Sequence, residues 1–233
     1  MLSVEQVSRT FNKKQVGFTD VSFTVMEGEI IGILGTSGCG KSTLLRVLAG
    51  LDKDYTGKFT WEKEQVGMMF QEPRLMPWLT VEQNVGFGMK GDSNSTIQEL
   101  LKLVGLAGFE KLYPKDLSGG MAQRTALARA LVTEPKVILL DEPFSAVDAF
   151  TKMQLQKLLL SIWKQQNTTM LLVTHDIDEA LFLCDKIFIL RGQPGELYET
   201  IIISEPKPRD RGDFKLTTRK AEILSLLDLK QTV

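Results

Sequence analysis

The run Gly35-Thr36-Ser37-Gly38-Cys39-Gly40-Lys41-Ser42 constrains this chain more than any other feature. It follows the apolar stretch Ile30 to Leu34, which reads as a strand. It precedes Ser42 to Ala49, where Leu44, Leu45, Val47 and Leu48 recur at helical spacing until Gly50 ends the pattern. A glycine-rich loop between strand and helix turns several backbone N–H groups toward one point, and the helix aims its positive dipole end at the same place. Such a loop cradles anionic oxygens. In this context Lys41 is expected to reach the β- and γ-phosphates of a nucleotide and Ser42 to ligate Mg²⁺.

The rest of the chain supplies a sheet to carry that loop. Val21, Phe23 and Val25 alternate with polar residues, and Glu27-Gly28-Glu29 makes a turn before Ile30, which reads as strand, turn, strand. Further strands are expected at Val66 to Phe70, Val137 to Leu140, Thr169 to Thr174 and Ile187 to Leu190, several of them separated by helical stretches. That alternation predicts an α/β protein with a mainly parallel sheet covered by helices. Between Glu72 and Pro135 strand signals vanish, and Ile97 to Val104 and Ala122 to Val132 have helical spacing. We expect one domain over residues 1–233, with a helical subdomain at about 72–135 inserted in the core. In the tail, at about 204–233, we expect a helix from about Thr218, after a Gly-Gln-Pro-Gly turn and a β-rich stretch, Glu196 to Ile203. The strand through Leu140 ends in Asp141 and Glu142, which a parallel sheet delivers to the same edge as the phosphate loop. Asp141 suits Mg²⁺ coordination through water, and Glu142 suits polarising an attacking water. Loop and acidic pair together read as a P-loop NTPase.

Charge and hydropathy exclude several alternatives. A formal net charge of -1 argues against a nucleic-acid partner held by bulk positive charge. Apolar runs are strand-sized, far short of the ~20 residues that span a bilayer, so a membrane role is expected to be peripheral. The N-terminus lacks a basic region followed by an apolar one, and Cys39 and Cys184 have neither CxxC spacing nor disulfide-scaffold density. Both features suit the cytosol.

One further segment narrows the family. Leu117-Ser118-Gly119-Gly120-Met121 lies between the phosphate loop and the acidic strand, followed in order by Ser145-Ala146-Val147-Asp148 and, after a strand, by His175, the one histidine of the chain. With Gln71 ending an earlier strand, these residues resemble the ABC ATPases over essentially the whole chain. The resemblance implies a P-loop cassette with an N-terminal antiparallel β-region and an inserted helical subdomain, hydrolysing ATP to ADP and phosphate with Mg²⁺. It implies Glu142, His175 and Gln71 as catalytic, and Ser42, Gln71 and Asp141 as metal-binding. It further implies nucleotide contacts from Gly35, Thr36, Ser37, Gly38, Cys39, Gly40, Lys41, Ser42 and Thr43, with Phe11 where an aromatic stacks on adenine. Ser118, Gly119 and Gly120 are implied to act in trans, across a head-to-tail dimer with Asp148 at the interface. Met121 stands where the family most commonly has Gln, and Ala122 where the related branch has a basic residue.

The stretch Phe70 to Val85, with its Gln-Glu-Pro-Arg-Leu-Met-Pro-Trp run, is similar to the import ATPases for nitrate, sulfonate, taurine and related small solutes, as is the tail from Gly192 to Arg211. This resemblance implies a second ATPase subunit, two membrane permease subunits, an extracytoplasmic substrate-binding protein, and a peripheral place on the cytoplasmic face of the cell membrane. The competing expectation is a regulatory or repair ATPase with no membrane partner. Two local expectations complete the reading. Cys39, beside Lys41 and a helix N-terminus, is expected to be a reactive thiol. Pro73 to Leu79 is expected to face the permease, unless Trp78 fills the helical subdomain's own core.

Overall fold

A computed structural model describes residues 1–11, 16–61, 66–89, 94–145 and 147–228. Along the chain come β1 (Leu2–Phe11), β2 (Val16–Val25), β3 (Ile30–Gly35), α1 (Lys41–Leu48), β4 (Thr56–Trp61), β5 (Val66–Met69), α2 (Val81–Val85), α3 (Asn94–Leu103) and a 3₁₀ turn at Pro114–Asp116. They are followed by α4 (Gly119–Leu131), β6 (Val137–Asp141), α5 (Ala149–Gln166), β7 (Thr169–Val173), α6 (Ile177–Leu183), β8 (Lys186–Arg191), β9 (Glu196–Ile202) and α7 (Phe214–Asp228).

The strands form two sheets. The larger has the order β5-β6-β7-β3-β8-β9, parallel throughout except for antiparallel β9 at its edge. The smaller is antiparallel, in the order β2-β1-β4. β2 and β3, adjacent in sequence, therefore belong to different sheets, and the turn at Glu27 and Gly28 hands the chain from one to the other. Four strands of the larger sheet read as uninterrupted apolar runs because both of its faces are covered. Ile30, Ile138, Met170 and Ile187 point into one core with α4, α5 and α6. Ile31, Leu139, Leu171 and Phe188 point into the other, shared with α1 and the small sheet. Each fully buried aliphatic side chain stabilises by roughly 1.5–3 kcal/mol, so these central strands are the hardest part of the molecule to deform.

Several elements differ from the sequence expectation, among them β4, which was not expected, and β2, which begins at Val16 rather than Val21. β1 was not evident because register shifts between Val4 and Val7 and between Val7 and Arg9 break its period of two, so buried Leu2, Val4 and Val7 are unevenly spaced. α7 begins at Phe214, earlier than Thr218, because the Asp213 carboxylate accepts the Lys215 N–H at 2.9 Å and starts the helix there. Among the described residues no strand lies between Met69 and Val137. No helix of the described residues is long and apolar enough to cross a membrane.

Candidate active site

Parallel pairing brings four strand ends to one edge of the sheet. In spatial order, β5 leads to Gln71, β6 to Asp141 and Glu142, β7 to His175, and β3 to the phosphate loop. Neighbouring strands lie ~4.8 Å apart, so residues distant in sequence converge within a few side-chain lengths. A groove of about 420 Å³ results, lined by Gly35, Gly38, Lys41 and Ser42 on one side and by Glu142 and His175 on the other. Ser37, Gly40, Thr43 and Gly17 complete its wall. Gly17 was not anticipated; the available signal was a glycine inside a strand pattern, which marks close backbone approach.

The loop's geometry suits an anion. Gly40 has φ 87° and its missing Cβ would meet the Gly17 carbonyl at 2.6 Å, so only glycine fits there. It precedes α1 without any side-chain cap, and α1 has no acidic residue in its first turn. By contrast α2, α4, α5 and α6 are capped by Thr80, Ser118, Asp148 and Asp176. The free N–H groups of α1 are thus left to an external acceptor. Lys41, only 8% exposed, donates to the carbonyls of Gly35 at 2.8 Å and Thr36 at 2.9 Å, holding its ammonium at the loop. The buried hydroxyl of Thr36 has no partner among the described residues. Positive charge, uncapped amides and an orphaned hydroxyl fit a polyphosphate.

The donor set for a cation is of hard oxygens. Ser42 Oγ donates to Asp141 Oδ1 at 2.8 Å, so both oxygens border one point beside the loop. Burial raises the Asp141 carboxyl above its usual range, partly offset by the Ser42 hydrogen bond. Among the described residues no group of three or more His, Cys, Asp or Glu side chains is arranged to hold a metal ion by itself. This fits Mg²⁺, which takes one or two protein ligands alongside phosphate oxygens and water.

Glu142 sits at the convergence. Its backbone has φ 45°, held by the hydrogen bond from its N–H to Val173 O at 2.9 Å. Its Oε2 accepts from Gln71 Nε2 at 3.0 Å and lies 3.3 Å from His175 Nδ1. The sheet thereby unites the three residues expected to be catalytic. Gln71 is in turn tied to α4: buried Gln123 donates to the Gln71 carbonyl at 3.2 Å, and Arg129 donates to the carbonyls of Pro73 and Arg74 at 2.6 and 2.9 Å. Sequence reasoning missed Gln123 and Arg129, because a polar residue on an apolar helix face does not reveal its partner.

Other expected residues lie apart from the groove. Ser118, Gly119 and Gly120 contribute nothing to its lining. Ser118 caps α4 by accepting the Met121 N–H at 3.3 Å, and Ser118 and Gly119 are exposed. Gly120 leaves room for Thr151 of α5, which a Cβ would meet at 2.6 Å. Asp148 caps α5, accepting from Phe150 and Thr151 N–H at 3.0 Å each; Ala146 of the same segment lies outside the described residues. Phe11 is exposed at the end of β1, next to the Thr10–Gly17 pair, with the Arg9 guanidinium 4.0 Å from its ring centre.

The expectation for Cys39 is corrected. Its thiol is fully buried, and desolvation pushes its pKa up despite neighbouring Lys41. The helix N-terminus faces the groove while the sulfur faces the core, so the side chain fills space. Cys184 is buried as expected. Trp78 is 73% exposed and does not fill a core.

The chain matches the ABC transporter family over residues 18–145. It is 50% identical over 215 residues to the aliphatic sulfonates import ATP-binding protein of Pseudomonas syringae pv. tomato, covering 92% of this chain and 93% of that one. The protein of the same name from Bacillus cereus is 43% identical over 237 residues, covering 96% and 94%. Among solved structures, the dimeric cassette MJ0796 in a post-hydrolysis state bound to ADP and Pi superposes with TM-score 0.78 at 28% identity, covering 88% of this chain and all of that one (100%). A cassette from Clostridium perfringens that is part of an ABC transporter complex gives TM-score 0.78 at 26% identity, covering 99% and 95%.

Proposed function

The chain belongs to the ABC transporter family and is an ATP-hydrolysing, ATP-binding subunit of that family; from this premise we propose that it powers import of an aliphatic sulfonate or a related small organic anion. The observation that carries the chemical part is the groove that joins the phosphate loop to Glu142 and His175. Lys41 and the uncapped N–H groups of α1 bind and orient the β- and γ-phosphates. Glu142 takes a proton from the attacking water. Its Oε2 is engaged by Gln71, which leaves Oε1, without a hydrogen bond among the described residues, to face that water. His175 steadies the same carboxylate and reaches toward the γ-phosphate. Ser42, Asp141 and Gln71 would hold Mg²⁺, which when bound neutralises phosphate charge.

Ser118 and Gly119 are exposed and can serve a neighbour, and the place of Ser118, Gly119 and Gly120 outside the groove favours their action across a dimer of cassettes, with Asp148 and its loop at the interface. Two features support this reading: a solved relative is dimeric with ADP and Pi bound, and the helix start at Ser118 is a second anion-facing end. Phe11 beside Gly17 serves the adenine. The helical subdomain at about 72–135 would move with the dimer, and Pro73 to Leu79, with Trp78 exposed, would carry that motion to two permease subunits at the cytoplasmic face of the membrane. An extracytoplasmic binding protein would deliver the solute.

The test is reconstitution with the neighbouring permease and binding protein in vesicles. The expected result is ATP-dependent uptake of an alkanesulfonate, and ATP hydrolysis that rises when the loaded binding protein is added. Hydrolysis indifferent to membrane partners, with no stable complex, would favour the regulatory ATPase instead.

A further inference from the structure

A second groove, of about 620 Å³, runs between α5, the end of α6 and the Pro-Lys-Pro-Arg-Asp-Arg segment of the tail. It shares no lining residue with the nucleotide groove. One wall is apolar, made by Met153 and Leu160 with the rings of Trp163 and Phe182. Cationic side chains surround it: Lys157 and Lys164 on the same helix, α5, and Lys207, Arg209 and Arg211 on the tail, against Asp210 as the one acidic lining residue.

These charges are unevenly compensated. Lys207 is paired with Asp185 at 2.7 Å and sits 3.6 Å from the Trp163 ring centre. Arg209, only 6% exposed, donates to four backbone carbonyls, among them Leu181 and Cys184 at the end of α6 at 2.9 and 2.7 Å, but among the described residues it bonds no carboxylate, Asp185 and Glu205 acting on it only through their nearby charge. It therefore fixes a positive charge in the floor. Arg211 lies 4.1 Å from the Phe182 ring centre and bonds the amide oxygen of Gln156. No hydrogen bond or ion pair engages Lys157 or Lys164 among the described residues. Asp210 is partly occupied, accepting the Gly212 N–H at 2.9 Å.

An inorganic anion would satisfy the cations and leave the aromatic wall wet; an apolar molecule would do the reverse. A pocket of this size with a few convergent charged groups on an apolar wall has the form of a small-molecule site. We infer that this groove binds a small organic anion with an apolar body, such as an alkyl or aryl sulfonate or carboxylate. The acid group meets Lys157, Lys164 and Arg211, and the body lies on Trp163, Leu160 and Phe182. The occupant bridges α5 to the tail, and α6, whose end borders the groove, starts just after His175 of the active site. α5 begins at Asp148; α6 begins just after His175, where Lys152 of α5 bonds Asp176 at 3.0 Å and Glu179 at 2.8 Å. The inference does not depend on which solute is transported.

Isothermal titration of the full chain with hexanesulfonate, hexanoate and inorganic sulfate at fixed ionic strength tests it. Both organic anions should bind saturably at one site, and sulfate should bind weaker by roughly tenfold or more, since each buried methylene contributes about 0.8 kcal/mol. The double variant Lys157→Glu/Lys164→Glu should lose at least about tenfold in hexanesulfonate affinity, with melting temperature and MgATP affinity unchanged. As a second variant, the uncharged Met153→Asn should weaken hexanesulfonate but not sulfate. Equal binding of sulfate and hexanesulfonate, indifference to charge reversal, or absence of saturable binding at millimolar anion would overturn the inference. So would binding confined to phosphatidylglycerol vesicles, which would make the basic wall a membrane contact.

Discussion

The N-termini of α1 and α4 are both glycine-rich helix starts, yet they are built for different partners. α1 follows Gly40 with no cap and opens into a groove of its own chain, beside Lys41, Glu142 and His175. α4 is capped by Ser118, with Ser118 and Gly119 exposed and outside the lining of that groove. The first is set in the stiff parallel sheet, between strands buried on both faces. The second stands among helices and is linked to the sheet by Gln123 and Arg129 through the Gln71 to Arg74 backbone. The contrast teaches that the residues for the chemistry converge within one chain, whereas the α4 start is an outward surface, which the proposed function assigns to a second cassette.

The comparison breaks first at Glu142. Glu142→Gln keeps size and polarity while removing the basic oxygen, so phosphate release should fall by roughly 10²–10⁴-fold with MgATP still bound, as measured by single-turnover hydrolysis and nucleotide binding. Wild-type turnover would show that the base lies elsewhere. In that slow background ATP should hold two chains together, and adding Ser118→Arg should abolish the dimer by size-exclusion chromatography while each chain still binds ATP. Persistence of the dimer would mean that the α4 start is not its contact.

Lys41→Ala should weaken ATP by about 10–100-fold, the equivalent of one or two charge-assisted hydrogen bonds, as followed by titration with a fluorescent nucleotide. A smaller effect would assign the affinity to the α1 amides. Gln123→Met keeps the volume of α4 but cuts its bond to Gln71. We expect about 1 kcal/mol or less off the stability and a few-fold drop in turnover, with ATP affinity intact. Unchanged turnover would show that the link between the two regions runs through Arg129 alone.

The smallest effect concerns pH. Burial raises the Asp141 carboxyl, so its ionisation opposes folding, and stability present below its ordinary pKa is lost as pH rises through the folded value. Asp141→Asn should therefore melt higher than wild type at pH 7.5 without nucleotide or metal, a gain that shrinks as the pH is lowered through the carboxylate range. The same variant should need more Mg²⁺ for hydrolysis. A lower melting temperature at neutral pH would contradict the sign.

How much was legible depended on whether a signal was local. The phosphate loop, the acidic strand end and the Ser118 helix start each lie within a few consecutive residues, because backbone N–H groups and helix dipoles are local. So do the strands that the buried sheet makes apolar throughout. From these the P-loop cassette and its ATPase chemistry followed. Distance hid the rest. Which sheet β2 joins, and that β1 is a strand at all, depended on cross-strand pairing and on bulges that erase its period. Cys39 shows the limit most sharply: its neighbours in sequence predicted a thiolate, but the packing that turns its sulfur into the core determines its solvation. The pairing of Gln71 with Glu142, and of Gln123 with the Gln71 carbonyl, spans 71 and 52 residues and is decided by the strand order and helix packing alone. Sequence by itself thus determined which groups the chain carries for binding and splitting ATP; only the tertiary structure decided which of them meet, because convergence and desolvation are properties of the packed sheet.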